Sequence, residues 1–226
     1  MDELIGKILT AVKLLKLEET TQIIYTSDHG DNIGERDLWG KSNFFEESVG
    51  IPLIIAGPDV PVGKVCKTPV SLIDISPTIL ETANLSVQSR KPGRLLTKIA
   101  NEQNNNGREI FAEYHAMGSK SGSFMIRKGR WKYVHYVGMR SQLFDLESGP
   151  EEMSDLGETH EFTDITQKLE AELRLICNPE IVDKTAKSDQ MEIIELNGGV
   201  EAVVNKGGFG ATPPPSVNPE YASIKS

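Results

Sequence analysis

The chain has 226 residues, 38% of them hydrophobic, and its 24 Lys and Arg against 33 Asp and Glu leave a formal net charge of −9. At roughly 100–200 residues per domain, that length suits one large domain or two small ones. The acidic balance disfavours binding to a phosphate backbone, which needs clustered Lys and Arg. No apolar run of about 20 residues is present to span a membrane, so neither nucleic acid nor membrane is expected as a partner.

In chain order, residues 3–17 place Leu4, Ile5, Ile8, Leu9, Val12 and Leu15 at helical spacing. This is an acidic amphipathic helix and not a signal peptide. Residues 22–26 read as a strand buried on both faces. Residues 44–48 suggest a short helical turn, and residues 52–56 a second buried strand closed by Gly57-Pro58. A further strand is expected near residues 65–70. A helix follows to Ala83, with Pro77 tolerated in its first turn. This alternation predicts a mostly parallel α/β sheet.

Residues 86–107 are polar, end in Asn104-Asn105-Asn106-Gly107 and read as a surface loop. Residues 109–114, 124–127, 131–137 and 143–146 are short, β-branched and aromatic, and Lys128-Gly129 supplies a tight turn between two of them. A small antiparallel sheet is expected there. Helices are predicted over 163–176, from Ile165, Leu169, Leu173 and Ile176, and over 183–196, ending at Gly198-Gly199. From Gly207 onward, with Pro213-Pro214-Pro215, the tail is expected to be extended or disordered.

Chemistry concentrates in residues 25–45. Asp28 and His29 are adjacent, directly follow the apolar strand and lead into Gly30. Ligand groups sit just there in an open α/β sheet, beyond the carboxyl end of a strand. A carboxylate and a neutral imidazole are both ligands for a divalent cation, although two ligands do not complete a coordination sphere. Lys41 lies 12 residues beyond His29 and offers a positive charge to an anionic substrate. His115 ends a strand, and is either a proton donor or anion contact at such a site or a packed structural histidine. The Gly/Ser run at 118–123 lacks P-loop spacing and reads as a loop. Arg36 reads as a surface ion pair, and Arg127, Lys128, Arg130 and Lys132 as solvated charges split between strand faces. Cys66 and Cys177 form no disulfide framework, which favours a reducing compartment, the cytoplasm by default.

The longer pattern is more specific. Ser27-Asp28-His29-Gly30-Asp31, Gly34-Glu35-Arg36, Leu38-Trp39-Gly40-Lys41, Phe44-Phe45-Glu46-Glu47-Ser48 and Ile51-Pro52-Leu53-Ile54-Ile55 closely resemble the sulfatase family of the alkaline phosphatase superfamily. The likeness is strongest to its choline-sulfatase and phosphonate monoester hydrolase branch. Leu72 to Leu80, Met125 to Tyr133 and Gln142 to Glu147 resemble later segments of the same family.

That resemblance implies an alkaline phosphatase-like α/β fold, mostly parallel, with a small C-terminal antiparallel sheet and helices. Residues 1–107 would be the C-terminal part of the catalytic domain, 108–206 a subdomain and 207–226 a tail. It implies hydrolysis of sulfate esters, or of phosphonate or phosphate esters, with Asp28 and His29 as metal ligands and Lys41 and His115 as catalytic groups. The metal implied is Ca2+ first, with Mn2+ or Mg2+ as alternatives. The family's nucleophile lies in an N-terminal Cys-x-Pro-x-Arg motif. Here Cys66 precedes Lys67-Thr68-Pro69, and Cys177 precedes Asn178-Pro179-Glu180-Ile181, so neither fits. The resemblance therefore implies the C-terminal half of such an enzyme, inactive alone. Such a half would pair with the missing half, form a homo-oligomer, or act only by association.

Overall fold

The computed structural model describes residues 1–86, 92–116 and 119–206, and the backbone alone of 208–209 and 221–222. Helix α1 (Asp2–Leu14) has Asp2 and Glu3 in its first turn and Lys13 in its last, each complementing the helix dipole. None of its residues is buried, and Leu4 and Ile8 stay exposed.

Strand β1 (Ile23–Thr26) pairs with β4 (Leu53–Ala56) in antiparallel register, from Ile23 opposite Ala56 to Thr26 opposite Leu53. The strand–helix alternation predicts parallel neighbours instead. A parallel pair needs a crossover of a dozen or more residues, usually a full helix. Between these strands the chain forms only the two-residue strands β2 (Asn32–Ile33) and β3 (Trp39–Gly40), a 3-10 turn between them (Glu35–Asp37) and the four-residue helix α2 (Glu46–Val49). Gly57 ends β4 with φ 121°, and a Cβ there would lie 2.4 Å from the Thr21 carbonyl oxygen, so only glycine fits this turn.

Residues 65–70 form no strand. The Lys67 N–H is taken by the Asn104 side chain at 2.8 Å, and Pro69 has no N–H to give. A 3-10 turn (Leu72–Asp74) with a Ser71–Asp74 capping box leads into α3 (Ile75–Thr82), with Pro77 in its first turn as expected. Within the stretch read as a polar loop lies another helix, α4 (Leu96–Asn101), whose Leu96 and Ile99 are buried. One turn with two core residues is too short for helical periodicity to stand out in the sequence. Residues 87–91 of that stretch lie outside the described residues.

The second block forms a four-stranded antiparallel sheet in the order β5 (Glu109–Tyr114), β6 (Ser123–Lys128), β7 (Trp131–Tyr136), β8 (Gln142–Asp145). Gly129, at φ 59°, serves the two-residue turn between β6 and β7. Helix α5 (Thr163–Ile176) matches its expected span. Helix α6 (Pro179–Leu196) starts four residues earlier than the apolar pattern suggests. Asn178 caps it by accepting the Ile181 N–H at 3.0 Å, and Pro179 takes the first helical position. Helix α6 ends at Leu196, as the sequence predicts, ahead of Gly198 and Gly199 at φ 95° and 86°, and a separate short helix α7 (Gly199–Asn205) follows. Gly208–Phe209 pairs with Tyr221–Ala222; the rest of the tail, including Pro213 to Pro215, lies outside the described residues.

Alternation along the strands gives the sheet two faces. Phe124, Ile126, Tyr133 and Leu143 pack on Leu169 and Leu173 of α5. Met125 and Val134 point the other way and pack with Phe44. The basic residues expected to be solvated are paired. Lys132 is fully buried between Glu46 and Glu152, Arg127 meets Glu46 at 3.2 Å, Lys128 meets Glu172 at 2.8 Å, and Arg130 chelates Asp145. Strand geometry puts Lys132 in line with Val134 on the buried inner face, so a solvated ammonium is not available to it. Among the described residues, no helix is long and apolar enough to cross a membrane.

Candidate functional site

Asp28 and His29 sit on the turn leaving β1, as the sequence predicts. The turn is fixed from beneath. Gly30 donates its N–H to the Ser48 carbonyl oxygen at 2.9 Å, and a Cβ on Gly30 would lie 2.1 Å from the Glu47 carbonyl oxygen. The Asp28–His29 turn therefore rests directly on α2, an approach only glycine permits. Ser27 Oγ donates to the His29 carbonyl oxygen at 2.7 Å, closing the turn locally.

The His29 ring is oriented by its Nδ1, 2.8 Å from the Gly30 carbonyl oxygen. A carbonyl only accepts, so Nδ1 carries a proton, and in the neutral ring the lone pair is on Nε2. That Nε2 lies 3.4 Å from Asp28 Oδ2 and in hydrogen-bond contact with Lys41 Nζ. Desolvation of Asp28 is outweighed by backbone N–H groups and by His29, which hold its carboxyl below the ordinary range. The carboxylate is therefore anionic at neutral pH. Lys41 is placed by the β2–β3 hairpin: the buried Asn32 side chain donates to the Gly40 carbonyl oxygen at 2.7 Å, one residue before it.

These three side chains, with Glu113, are the charged and imidazole groups lining a cleft of about 580 Å³. Ser42 and Asn43 also line it, and Ile51, Leu53, Val70, Leu72, Ile110 and Met125 build apolar walls. Ser71 and Leu72, on the far wall, are anchored through Asp74. Its carboxylate is fully buried, takes the N–H groups of Ser71 and Arg94, and pairs with Arg108 at 2.7 Å. A concave, mostly apolar pocket with a few convergent polar groups is the usual form of a small-molecule site.

His115 is not brought into this cluster. It lies on the helix-packed face of the sheet, edge-on to Phe124 with ring centroids 5.2 Å apart, and its backbone carbonyl takes the Gln190 side-chain N–H of α6 at 2.6 Å. The neighbouring loop is tied down at Gly122, whose N–H goes to Asp183 at 2.6 Å; Met117 and Gly118 lie outside the described residues. Arg36 is more than a surface ion pair. It pairs with Glu47, donates to the Glu151 carbonyl oxygen at 2.6 Å and stacks 4.1 Å above Phe45.

Two features of the site escape sequence reasoning. Asn43 carries no motif of its own, although its place two residues beyond Lys41 is a usable signal. The Lys132–Glu46–Glu152 network joins residues about 100 positions apart. Its one local trace is a lysine on the inner face of an otherwise buried strand.

The residues present fit a divalent cation in part. A carboxylate and a correctly tautomerised imidazole face each other, which is the donor chemistry a metal needs. Among the described residues no group of three or more His, Cys, Asp or Glu is placed to hold an ion.

Comparison with known proteins gives the family and the fold. The family described as N-sulphoglucosamine sulphohydrolase, C-terminal, matches residues 34–178. A choline-sulfatase of Rhizobium meliloti is 38% identical over 161 residues, 70% of this chain and 31% of that protein. An arylsulfatase K of Mus musculus is 34% identical over 188 residues, 78% of this chain and 34% of that protein. The chain thus spans about a third of the length of these curated relatives. A protein solved with its substrate D-glucosamine-2-N,6-O-disulfate superposes with TM-score 0.67 at 25% identity, covering 83% of this chain and 39% of that one. The phosphonate monoester hydrolase of Agrobacterium radiobacter superposes with TM-score 0.65 at 26% identity, covering 74% and 37%. The fold is that of the alkaline phosphatase-like sulfatases over the portion present. The chain belongs to the sulfatase family, through its N-sulphoglucosamine sulphohydrolase C-terminal region.

Proposed function

We propose that this chain supplies the metal-and-lysine half of a sulfatase-type active site. Asp28 and His29 would be two ligands of a divalent cation, and Lys41 the cation facing the sulfuryl oxygens. The observation that carries this is the convergence of the three side chains in one cleft. When bound, the metal, Ca2+ first and Mn2+ or Mg2+ as alternatives, would polarise the ester and offset charge building on its oxygens. Asp28 remains anionic to hold it, and His29 presents Nε2 because Gly30 fixes the tautomer. Lys41 would then leave Nε2 for the substrate, where it stabilises negative charge developed in the transition state.

Neither cysteine of the chain stands in a Cys-x-Pro-x-Arg motif. Burial pushes the Cys177 thiol up, which disfavours the thiolate, and Cys66 packs its sulfur 3.7 Å from the Ile99 carbonyl oxygen. The chain alone is therefore expected to bind substrate poorly and turn over nothing. A segment carrying the nucleophile would dock beside the outer edges of the β1–β4 pair. We take residues 1–107 as the catalytic part and 108–206 as the supporting subdomain. A second reading, hydrolysis of phosphonate or phosphate esters, is favoured by the structural match to a phosphonate monoester hydrolase.

The test is a chimera in which this chain replaces the matched part of the choline-sulfatase relative, assayed for sulfate and phosphonate ester hydrolysis. Activity is expected, with Lys41→Ala reducing kcat by about 10²–10³. A folded chimera that cleaves neither ester, or robust sulfate turnover by the isolated chain, would contradict the proposal.

A further inference from the structure

A fully buried charged pair lies outside the lining of the cleft and touches segments that lead to it. Lys132, on β7, is completely inaccessible to solvent, and its Nζ has three partners: Glu46 Oε1 at 2.5 Å, Glu152 Oε1 at 2.8 Å and the Phe44 carbonyl oxygen at 2.8 Å. Glu152 Oε2 in turn accepts the Glu46 backbone N–H at 2.6 Å. Arg127 adds a second cation, 3.2 Å from Glu46 Oε2. Burial pushes the Glu152 carboxyl up while the Lys132 ammonium pulls it down.

Replacing such a network with apolar side chains is often neutral or stabilising, so its presence is a poor argument for stability alone. Its targets suggest another role. Glu46 opens α2, and the next two residues of that helix, Glu47 and Ser48, form the surface on which Gly30 rests. Phe44, held through its carbonyl, stands three residues after Lys41. The network therefore grips both ends of one structural path, one leading to the Asp28–His29 turn and one to Lys41.

We propose that Lys132, with Glu46 and Glu152, is a positioning device that sets the Asp28–His29 turn and Lys41 relative to each other from the far subdomain. This rests on the reading of those three residues as the working end of the site. The ionic contacts run from β7 of the four-stranded sheet to Phe44 and to Glu46 of α2, both in the segment that joins β1 to β4, so they tie that segment to the second block of the chain. Supporting shells of this kind hold functional side chains to within about 0.5 Å of their working geometry.

The experiment is amide hydrogen exchange and imidazole 15N spectroscopy on the metal-free chain, comparing wild type with Lys132→Met. The expected result is exchange at Gly30 faster by about tenfold and shifted His29 ring signals, while α5 amides keep their protection. Glu46→Gln, which leaves Lys132 bonded to Glu152 and Phe44, should reproduce the effect more weakly and covers the case in which Lys132→Met fails to fold. Unchanged Gly30 exchange and His29 signals in the folded variants would overturn the proposal. So would loosening at Gly30 that only tracks the loss at α5, since that marks a merely structural role. No metal enters this measurement, so its outcome is independent of whether Asp28 and His29 bind one.

Discussion

The Gly30 N–H and the Ser48 carbonyl oxygen, 2.9 Å apart, join the turn that carries Asp28 and His29 to the backbone of α2. The approach is so close that a single added carbon would sit 2.1 Å from the Glu47 carbonyl oxygen. A backbone atom cannot swing aside as a side chain can. Gly30→Ala should therefore displace the turn and destabilise the chain by about 1–3 kcal/mol, the usual range for overpacking. Urea denaturation checks the stability change, and loss of the His29 Nδ1 bond to Gly30 should appear in the imidazole spectrum.

The far wall of the cleft depends on Asp74. Its carboxylate is fully buried, pairs with Arg108 and accepts the N–H groups of Ser71 and Arg94. Removing one member of a buried pair strands the other charge, at a cost of about 3–5 kcal/mol. Asp74→Ala should show a loss of that size in equilibrium unfolding, with no comparable effect from Asp164→Ala on the outer side of α5.

Acid stability should report the junction between α5 and α6. The Arg174 guanidinium beside Glu180 holds its carboxyl down at about 2, against an ordinary 4.5. A depressed pKa means the unfolded chain binds more protons, so this contribution is present above about 4.5 and is lost as pH falls towards 2. Glu180 is half exposed, and solvent screening keeps the effect modest. In Glu180→Gln, the loss of melting temperature between those pH values should be shallower than in wild type. An unchanged slope would show that the pair contributes nothing.

Legibility from sequence followed the range of the interactions. The Asp28–His29 turn, Lys41, the four C-terminal strands and α5 are set by local pattern, and each stands where the pattern puts it. The pairing direction of β1 and β4 is not local. It follows from the shortness of α2, legible at residues 44–48 but outweighed by the strand–helix alternation in the parallel reading. Helix α4 has two core residues in one turn and no period to detect. His115 has the right residue type at a strand end, but strand alternation assigns it to the face covered by α6. Lys132 is one basic residue among several in sequence, Arg127, Lys128 and Arg130, and only the fold across the sheet shows what each meets.

The most direct test of the central claim is a Mn2+ titration of the chain while following its four histidines, His29, His115, His135 and His160. If Asp28 and His29 form a metal end, paramagnetic broadening should appear first and most strongly at His29 and vanish in Asp28→Ala. Broadening that is equal at all four rings, or that persists at His29 without the Asp28 carboxylate, would contradict it.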